Sequence, residues 1–482
     1  MTDYMWSFIS KRMELYPQSR IISEEIEYTY ASVLEMAEKL GSKLNKWNVN
    51  NYKLKCAVLC RDGFYTMLGI LAAWKAGMIP IPMSINYGEQ HCMKIMEGTS
   101  PDLLVTDDTE ITKQFLVPKF DLKTLEINSP VLERANEDLD DIALIMNTSG
   151  TTGNPKGALI RDDGLVANVI AISEYFRINQ NDTILIARPI YHCAVLSGEM
   201  LISLHNGVNI CFSNEAYSPA TVIGIIEKYS ISVMCGTPTL FTHLTKMCSR
   251  IGKRNILKVI ALSGECLNQE IALEIRKLFE DTEIYNVYGL TEASPRVSYL
   301  PPELFDTKSD SVGIGLSNVR IIIADGNGIE VSVNTPGMVM VSSPSIMKGY
   351  YRQPELTEKR IVNGWLITGD IGYMDESGCL YILSRADDMI IKAGMNIYPK
   401  EIENLLIQFE FVREVVAYGI KEKTGQGIAV DIVLNKGYEN LSSREMIKAI
   451  SEKLQSYMMP SRVSVVNELK KNASGKIIRK RN

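Results

Sequence analysis

Residues 148–157 read TSGTTGNPKG, and this stretch constrains the fold more than any other part of the chain. It contains three glycines, four hydroxyl side chains and one lysine. Glycine lets backbone N–H groups approach an anion without interference from a Cβ atom, and hydroxyl and ammonium groups add donors and positive charge. Apolar runs at 142–146 and 158–160 flank the stretch and predict two buried strands. We therefore expect a polyphosphate cradle between two strands; the alternative is an ordinary polar hairpin, which the same residue types also form.

The order of residues separates this loop from the Walker A phosphate loop. Pro155 stands where that pattern needs its second glycine, and no helix pattern opens directly after Lys156. Ser-Gly-Thr-Thr-Gly-x-Pro-Lys-Gly instead resembles the phosphate-loop signature of the adenylate-forming superfamily, which contains acyl- and aryl-CoA synthetases, adenylation domains of peptide synthetases and beetle luciferases. The resemblance implies that the chain activates a carboxylate with ATP and passes the acyl group to a thiol. It also implies that ATP contacts Thr148, Ser149, Gly150, Thr151, Thr152, Gly153 and Lys156.

Composition narrows the class of protein. The 482 residues are too many for one ordinary core and predict at least two domains. A net charge of −6 argues against a general nucleic-acid binder, which would be basic. Nine cysteines without C-x-x-C spacing, and an N-terminus without a signal-peptide pattern, predict reduced thiols in the cytoplasm. No apolar run reaches the roughly 18 residues of a membrane span, so no span is expected.

Alternating strand and helix patterns predict an α/β fold with mainly parallel sheets. The predicted helices are 31–47, 64–76, 90–98, 164–175, 269–279, 399–409 and 444–455. The predicted strands include 55–60, 78–82, 103–106, 183–187, 232–236, 259–262, 283–286, 412–420 and 427–434. Short strand patterns with Gly- and Asn-rich turns over 312–383 predict a small β-barrel or a distorted sheet.

The domain organisation follows from this change of pattern together with the resemblance. We expect a large N-terminal domain, residues 1–386, of two doubly wound α/β subdomains plus a small β-barrel. A smaller, mobile α+β C-terminal domain would comprise residues 387–482. Asp387 falls at the hinge position of the superfamily, and hinge residues absorb large changes of backbone angle between element ends.

A second motif, Tyr-Gly-Leu-Thr-Glu, follows the predicted strand 283–286. Loops at the carboxyl ends of parallel strands are common ligand sites. The resemblance implies that Tyr288 stacks on adenine, that Thr291 bonds the α-phosphate and that Glu292 holds Mg²⁺, which prefers charged oxygen ligands. Asn286 and Gly289 belong to the same nucleotide segment. The alternative is a helix start with a favourable glutamate in its first turn.

Further nucleotide contacts are implied by weaker motifs that are also common turns. Gly264 and Glu265, in Ser-Gly-Glu, resemble the segment whose backbone borders adenine and the acyl pocket. Asp370, in Thr-Gly-Asp, resembles the ribose-binding aspartate, whose carboxylate can accept bonds from both ribose hydroxyls. Arg385 resembles the arginine that supports the ribose.

The C-terminal region carries the residues implied for the two chemical steps. Lys476, in Ser-Gly-Lys, resembles the lysine that bridges the carboxylate and the α-phosphate; a merely basic tail is the alternative. Ala393 and Gly394 resemble the thiol tunnel, although Lys-Ala-Gly replaces the more frequent Ser-Gly-Gly. This departure leaves the identity of the thiol acceptor open.

The acyl pocket is expected to contain His192, Cys193, Gly236, Ser263 and Gly264. His192 resembles the aromatic or histidine residue that lines this pocket in many CoA ligases. With four histidines and none at metal-ligand spacing, a catalytic zinc site is not expected. The Phe-Asp pair of α-amino-acid-activating domains is missing, which favours a fatty or aromatic acid. Glu199 is expected to be a surface or paired residue rather than a partner for a cationic substrate.

The sequence therefore predicts an AMP-forming acid–CoA ligase that uses ATP, Mg²⁺ and coenzyme A. One alternative is a stand-alone enzyme that loads the acid onto the phosphopantetheine thiol of a separate carrier protein. Another, of a different class, is a nucleotide-binding regulator without catalysis. Retention of Lys156, Glu292, Asp370, Arg385 and Lys476 argues against the regulator.

Overall fold

The computed structural model describes residues 4–46, 53–126, 139–149, 155–213, 218–392, 395–422, 425–470 and 477–479. Its contacts divide the chain into two units. Unit 1 comprises Met1–Ile321 and Val341–Leu366, and unit 2 comprises Ile322–Met340 and Ile367–Asn482. Asp387 lies within the range of unit 2, and the predicted domain boundary beside it stays a prediction.

The elements of the first half of the chain alternate between helices and strands. In chain order they are α1 (Tyr4–Glu14), β1 (Arg20–Ser23), β2 (Ile26–Thr29), α2 (Tyr30–Asn45), β3 (Lys55–Val58), α3 (Gly63–Lys75), β4 (Ile79–Pro82), α4 (Glu89–Thr99), β5 (Leu103–Thr106), β6 (Lys119–Asp121), β7 (Ile142–Ser149), β8 (Pro155–Arg161), α5 (Asp162–Tyr175), β9 (Thr183–Ile186), α6 (Cys193–Val195), α7 (Ile202–Asn206) and β10 (Asn209–Phe212). A π-helical segment, Leu196–Leu201, joins α6 to α7.

The second half contains the remaining elements. They are α8 (Pro219–Lys228), β11 (Val233–Gly236), α9 (Pro238–Ile251), β12 (Val259–Leu262), α10 (Gln269–Leu278), β13 (Glu283–Gly289), β14 (Arg296–Leu300), α11 (Phe305–Lys308), β15 (Ile314–Gly315), β16 (Arg320–Ala324), β17 (Gly337–Ser342), β18 (Gly349–Tyr350), α12 (Pro354–Arg360), β19 (Ile361–Val362), β20 (Trp365–Met374), β21 (Leu380–Arg385), β22 (Ile390–Lys392), β23 (Met395–Ile397), α13 (Pro399–Leu406), β24 (Val412–Glu422), β25 (Gly425–Leu434), α14 (Ser443–Lys453) and β26 (Arg462–Val465).

The largest sheet of the described residues has nine strands in the order β15-β14-β13-β12-β11-β9-β10-β1-β2. The run from β13 to β1 is parallel, and the strands at both edges are antiparallel. A second sheet, β4-β3-β5-β6, is parallel throughout. The predicted α/β class with mainly parallel sheets is therefore confirmed.

The central strands are buried on both faces because successive side chains enter different cores. Ile184 and Val233 belong to one apolar cluster, which also contains side chains of α5. Their neighbours Leu185 and Met234 belong to a second cluster, which contains side chains of α8, α9 and α10. Strands covered on both faces carry continuous apolar runs. Because the central strands are parallel, their carboxyl ends lie along one edge of the sheet.

The glycine-rich stretch joins two antiparallel strands. β7 and β8 pair so that Thr148 lies opposite Lys156 and Ser149 lies opposite Pro155. Both predicted strands are confirmed, and each is longer than its apolar run. β18 adds to the other edge of β8, with Tyr350 opposite Ala158. The residues that flank the predicted phosphate loop therefore lie in a β-hairpin. Residues 150–154 lie outside the described ranges.

Unit 2 has its own apolar core. The long hairpin of β24 and β25 is extended by β26, and side chains of α13 and α14 pack against it. The small five-stranded sheet has the order β16-β17-β20-β19, and β21 also pairs with β20. This open order among the described residues agrees with the distorted-sheet alternative rather than a closed barrel.

Candidate active site

Glu292 is the buried carboxylate at the centre of the site in unit 1. It lies in a 3₁₀ turn, Thr291–Ala293, directly after β13, and it is 8% exposed. The hydroxyl of Tyr350 donates to Oε1 of Glu292 at 2.6 Å, and Nη2 of Arg360 lies 3.9 Å from the same oxygen. Burying a carboxylate is unfavourable unless it has hydrogen-bond or ion-pair partners of this kind. The turn therefore holds the Glu292 carboxylate in a fixed position.

Tyr350 also contacts the predicted phosphate-loop lysine. Nζ of Lys156 lies 5.5 Å from the centroid of the Tyr350 ring, which is a cation–π distance. Burial and the adjacent charge of Glu292 raise the pKa of Tyr350, so its hydroxyl keeps its proton and remains a donor. One aromatic side chain thus links the lysine of the hairpin to the glutamate of the β13 turn.

The sequence analysis missed Tyr350 and Arg360. Tyr350 is 58 positions from Glu292 along the chain, so no helical or strand spacing relates them. The pairing of β18 with β8 helps to bring this tyrosine to the site.

Replacing Tyr350 by phenylalanine tests this contact. The change leaves the ring in place and removes the proton that Glu292 accepts, so we expect the free energy of unfolding to fall by about 2 kcal/mol, the scale of a hydrogen bond to a charged group. Urea titration of the purified chain measures the change. Tyr4→Phe is the matched control, because Tyr4 is 54% exposed. Equal stabilities of the two variants would contradict the contact.

The predicted adenine segment lies at the carboxyl ends of β12 and β13. Gly264 is exposed and has a φ of +89°, a conformation that favours glycine. A Cβ atom on Gly289 would lie 2.2 Å from the carbonyl oxygen of Pro295, so no larger residue fits there. Tyr288 and Thr291 are half-buried in the same segment.

Two predicted nucleotide contacts have other partners inside unit 1. The carboxylate of Glu265 accepts hydrogen bonds from the backbone nitrogen and hydroxyl of Thr239, in the first turn of α9. Nδ2 of Asn286 donates to the carbonyl oxygens of Ser309 and Ser311. These side chains hold the loops that form the site, and their contact with ATP stays a prediction.

In unit 2 the predicted ribose pair is brought together. Asp370 and Arg385 lie opposite each other in β20 and β21, and Nη1 of Arg385 donates to Oδ1 of Asp370 at 2.8 Å. Asp387 is exposed in a 3₁₀ turn, Ala386–Asp388. The predicted Ala393, Gly394 and Lys476 lie outside the described residues.

The predicted acyl-pocket residues lie at strand ends of unit 1. Gly236 ends β11 and Ser263 follows β12, while His192 and Cys193 begin the helix that leads to the π-helical segment. Burial raises the pKa of Cys193 to about 12, so this thiol stays protonated. Glu199 is buried and paired with Arg188, whose Nη2 lies 2.5 Å from Oε1 of Glu199. The pairing agrees with the sequence analysis, which did not single out Arg188.

Two negative observations concern the described ranges only. The described ranges contain no group of three or more His, Cys, Asp or Glu side chains suited to holding a metal ion. Within the same ranges, every helix is too short or too polar to cross a membrane.

Comparison with known proteins gives matches along nearly the whole chain. A family model described as "AMP-binding enzyme" matches residues 9–351, and one described as "AMP-binding enzyme C-terminal domain" matches residues 401–476. The 2-succinylbenzoate–CoA ligase of Bacillus subtilis (strain 168) is 26% identical, over 98% of this chain and 96% of that protein. The 2-succinylbenzoate–CoA ligase of Geobacillus sp. (strain WCH70) is 33% identical, over 70% of this chain and 68% of that protein.

Solved structures also match the chain over nearly its whole length. The o-succinylbenzoate CoA synthetase (MenE) of Bacillus subtilis, in complex with the acyl-adenylate intermediate OSB-AMP, matches with a TM-score of 0.86 and 25% identity, over 99% of this chain and 97% of that chain. The same enzyme in complex with ATP and a magnesium ion matches with a TM-score of 0.86 and 26% identity, over 98% of each chain. The amide bond synthetase McbA of Marinactinospora thermotolerans shares the fold, with a TM-score of 0.87 at 21% identity, over 98% of each chain.

Proposed function

This chain belongs to the family of AMP-binding enzymes, and from that membership we propose that it is an AMP-forming acid–CoA ligase for an aromatic acid of the 2-succinylbenzoate class. The observation that carries the proposal is the buried Glu292, held by Tyr350 and Arg360 beside Lys156. Relatives that span the chain are 2-succinylbenzoate–CoA ligases, which supports this class of acid over fatty acids.

The first step joins the acid to AMP. A carboxylate oxygen of the substrate bonds to the α-phosphorus of ATP while the bond to pyrophosphate breaks. Negative charge grows on the non-bridging oxygens, and preorganised donors stabilise it. Thr291 donates to the α-phosphate, Lys156 neutralises the outer phosphates, and Lys476 bridges the carboxylate and the α-phosphate.

Glu292 fits the magnesium ion that this step requires. Its carboxylate is a hard oxygen ligand, and magnesium commonly takes one or two carboxylates and completes its shell with phosphate oxygens and water. When bound, the ion neutralises phosphate charge. Tyr350 and Arg360 hold the Glu292 carboxylate in place before the nucleotide arrives.

The second step transfers the acyl group to coenzyme A. The thiol sulfur bonds to the acyl carbon, the bond to the AMP oxygen breaks, and the thiol proton is lost. We assign the thiol path to Ala393 and Gly394, and the change between the two steps to rotation at Asp387. Asp370 and Arg385 hold the ribose.

The test is carboxylate-dependent exchange of pyrophosphate into ATP, followed by thioester formation with coenzyme A. We expect exchange with 2-succinylbenzoate and little with fatty acids of any chain length. Thioester formation with a phosphopantetheinylated carrier protein and not with coenzyme A would favour the carrier-loading alternative. Absence of exchange with a broad library of acids would overturn the enzymatic function and favour a nucleotide-binding regulator.

A further inference from the structure

Asn168 is a fully buried polar side chain in the middle of α5. The other buried residues of this helix are mostly apolar. Burial of an amide is unfavourable unless the amide is hydrogen-bonded, so its partners report why it stands there. Those partners lie in and directly after residues 290–295, the segment that joins β13 to β14 and carries Glu292. We call this segment the β13–β14 loop.

The amide of Asn168 pairs with both backbone groups of Arg296, the first residue of β14. The backbone nitrogen of Arg296 donates to Oδ1 of Asn168 at 3.2 Å, and Nδ2 of Asn168 donates to the carbonyl oxygen of Arg296 at 2.9 Å. An asparagine side chain can do this because it carries a donor and an acceptor in one group. Nδ2 also lies 3.5 Å from the carbonyl oxygen of Ala293. Asn168 therefore fixes the backbone at the end of the β13–β14 loop.

Ser294 attaches the same loop to a second segment. Its side chain is fully buried, and its hydroxyl donates to the carbonyl oxygen of Ser345 at 2.7 Å. The backbone nitrogen of Met347 donates to the carbonyl oxygen of Glu292 at 2.9 Å. The loop is thus bonded to the segment before β18 as well as to α5.

One face of α5 contacts both of these partners. Gly164 lies one helical turn before Asn168, so the two residues share a face of the helix. A Cβ atom on Gly164 would lie 2.8 Å from the carbonyl oxygen of Pro344, which shows that the helix backbone lies directly against this segment. Nδ2 of Asn168 also lies 3.5 Å from the hydroxyl oxygen of Ser345. α5 is therefore a common support for the loop and for its second anchor.

Backbone hydrogen bonds inside the loop carry this placement to the residues assigned to the reaction. The nitrogen of Ala293 donates to the carbonyl oxygen of Leu290 at 2.9 Å, and that of Ser294 donates to the carbonyl oxygen of Thr291 at 3.2 Å. A tight turn of this kind moves as a unit. Its position is therefore set by the bonds at its ends, whereas Tyr350 and Arg360 hold only the carboxylate of Glu292.

We propose that Asn168 is a positioning residue for adenylation, which sets through the backbone of the β13–β14 loop the place where Glu292 meets the magnesium ion. This role rests on the proposed function, in which Glu292 is a ligand of that ion. Partners that orient a metal ligand typically change metal affinity or activity by about 10–100-fold when they are removed. The effect of Asn168 should therefore appear in metal binding, and not in stability alone.

Asn168→Leu in the full-length chain tests this role, because leucine has a similar size and cannot bond to Arg296. Mn²⁺ shares the preference of Mg²⁺ for oxygen ligands and is visible by electron paramagnetic resonance. We expect its dissociation constant, measured with α,β-methylene-ATP present, to rise about 10–100-fold. Hydrogen–deuterium exchange at the amide of Arg296 should also become faster, because that amide loses its acceptor. Ser294→Ala removes the second anchor and is the milder variant if leucine prevents folding; we expect it to weaken Mn²⁺ binding as well.

Thr282→Val is the matched control, because it removes a buried hydrogen bond at the other end of β13. Thr282 is 3% exposed, and its hydroxyl donates to the carbonyl oxygen of Leu257 at 2.6 Å. We expect this variant to lose stability and to keep the wild-type affinity for Mn²⁺.

Two results would overturn the positioning role. One is wild-type Mn²⁺ affinity in the folded Asn168→Leu or Ser294→Ala chain, and the other is an equal loss of affinity in Thr282→Val. The binding measurement contains no acid, so it is separate from the test of the ligase function. Absence of pyrophosphate exchange with every acid would refute that function, whereas unchanged Mn²⁺ binding in the variants would refute only the role of Asn168.

Discussion

We expect replacement of Lys476 by alanine to slow formation of the acyl-adenylate by about 10²–10³-fold, which is the effect of losing one charge-stabilising group. Lys476 is the last residue matched by the C-terminal family model, and we assign it to the bridge between the carboxylate and the α-phosphate. Thioester formation from a preformed acyl-adenylate needs no such bridge and should change far less. Single-turnover measurement of each half-reaction separates the two effects.

A neighbouring basic residue provides the control for this variant. Lys470 is exposed in the same tail, so Lys470→Ala removes the same charge without the assigned contact. If the tail acted only by attracting anions, the two alanine variants would slow adenylation equally. Equal loss in both half-reactions for Lys476→Ala would also contradict the bridging role.

Replacing Glu292 by glutamine is expected to lower the adenylation rate by about 10²-fold or more at a low magnesium concentration. Glutamine keeps the size of the side chain and an oxygen that can accept the hydrogen bond from Tyr350, but it carries no charge for the metal. We therefore expect the magnesium concentration for half-maximal exchange to rise as well. Exchange rates measured across a magnesium titration give both quantities.

Glu303→Gln is the matched control, since Glu303 is exposed in the turn Pro302–Leu304. An unchanged magnesium requirement in Glu292→Gln would remove Glu292 from the metal site. Its carboxylate would then be a structural partner of Tyr350 and Arg360 only.

Local patterns predicted the layered part of the fold well. β5 occupies the predicted residues, and α3 differs from its predicted bounds by one residue at each end. These elements have apolar runs or helical periodicity that report burial directly. α8 and α9 were missed, although each begins with proline in its first turn after a Ser or Thr cap, a signal that is readable from sequence.

The site was predictable only where its residues belong to contiguous motifs. Glu292 and Lys156 were predicted as site residues because each lies in a recognisable segment. Tyr350 and Arg360 were not, because their contacts with Glu292 join distant parts of the chain. No spacing rule reports such contacts, and an isolated arginine or tyrosine has many ordinary surface roles.

The short strand β18 has a practical consequence for protein engineering. Backbone nitrogens of Lys348 and Tyr351 donate to Leu159 and Gly157 of β8, and that of Met347 donates to the carbonyl oxygen of Glu292. The hairpin of β7 and β8, this segment and the turn that carries Glu292 are therefore joined by backbone hydrogen bonds. A chimera that exchanges the hairpin with another scaffold must transplant residues 347–351 with it, because otherwise Lys156 lacks the contact with Tyr350 that links it to Glu292.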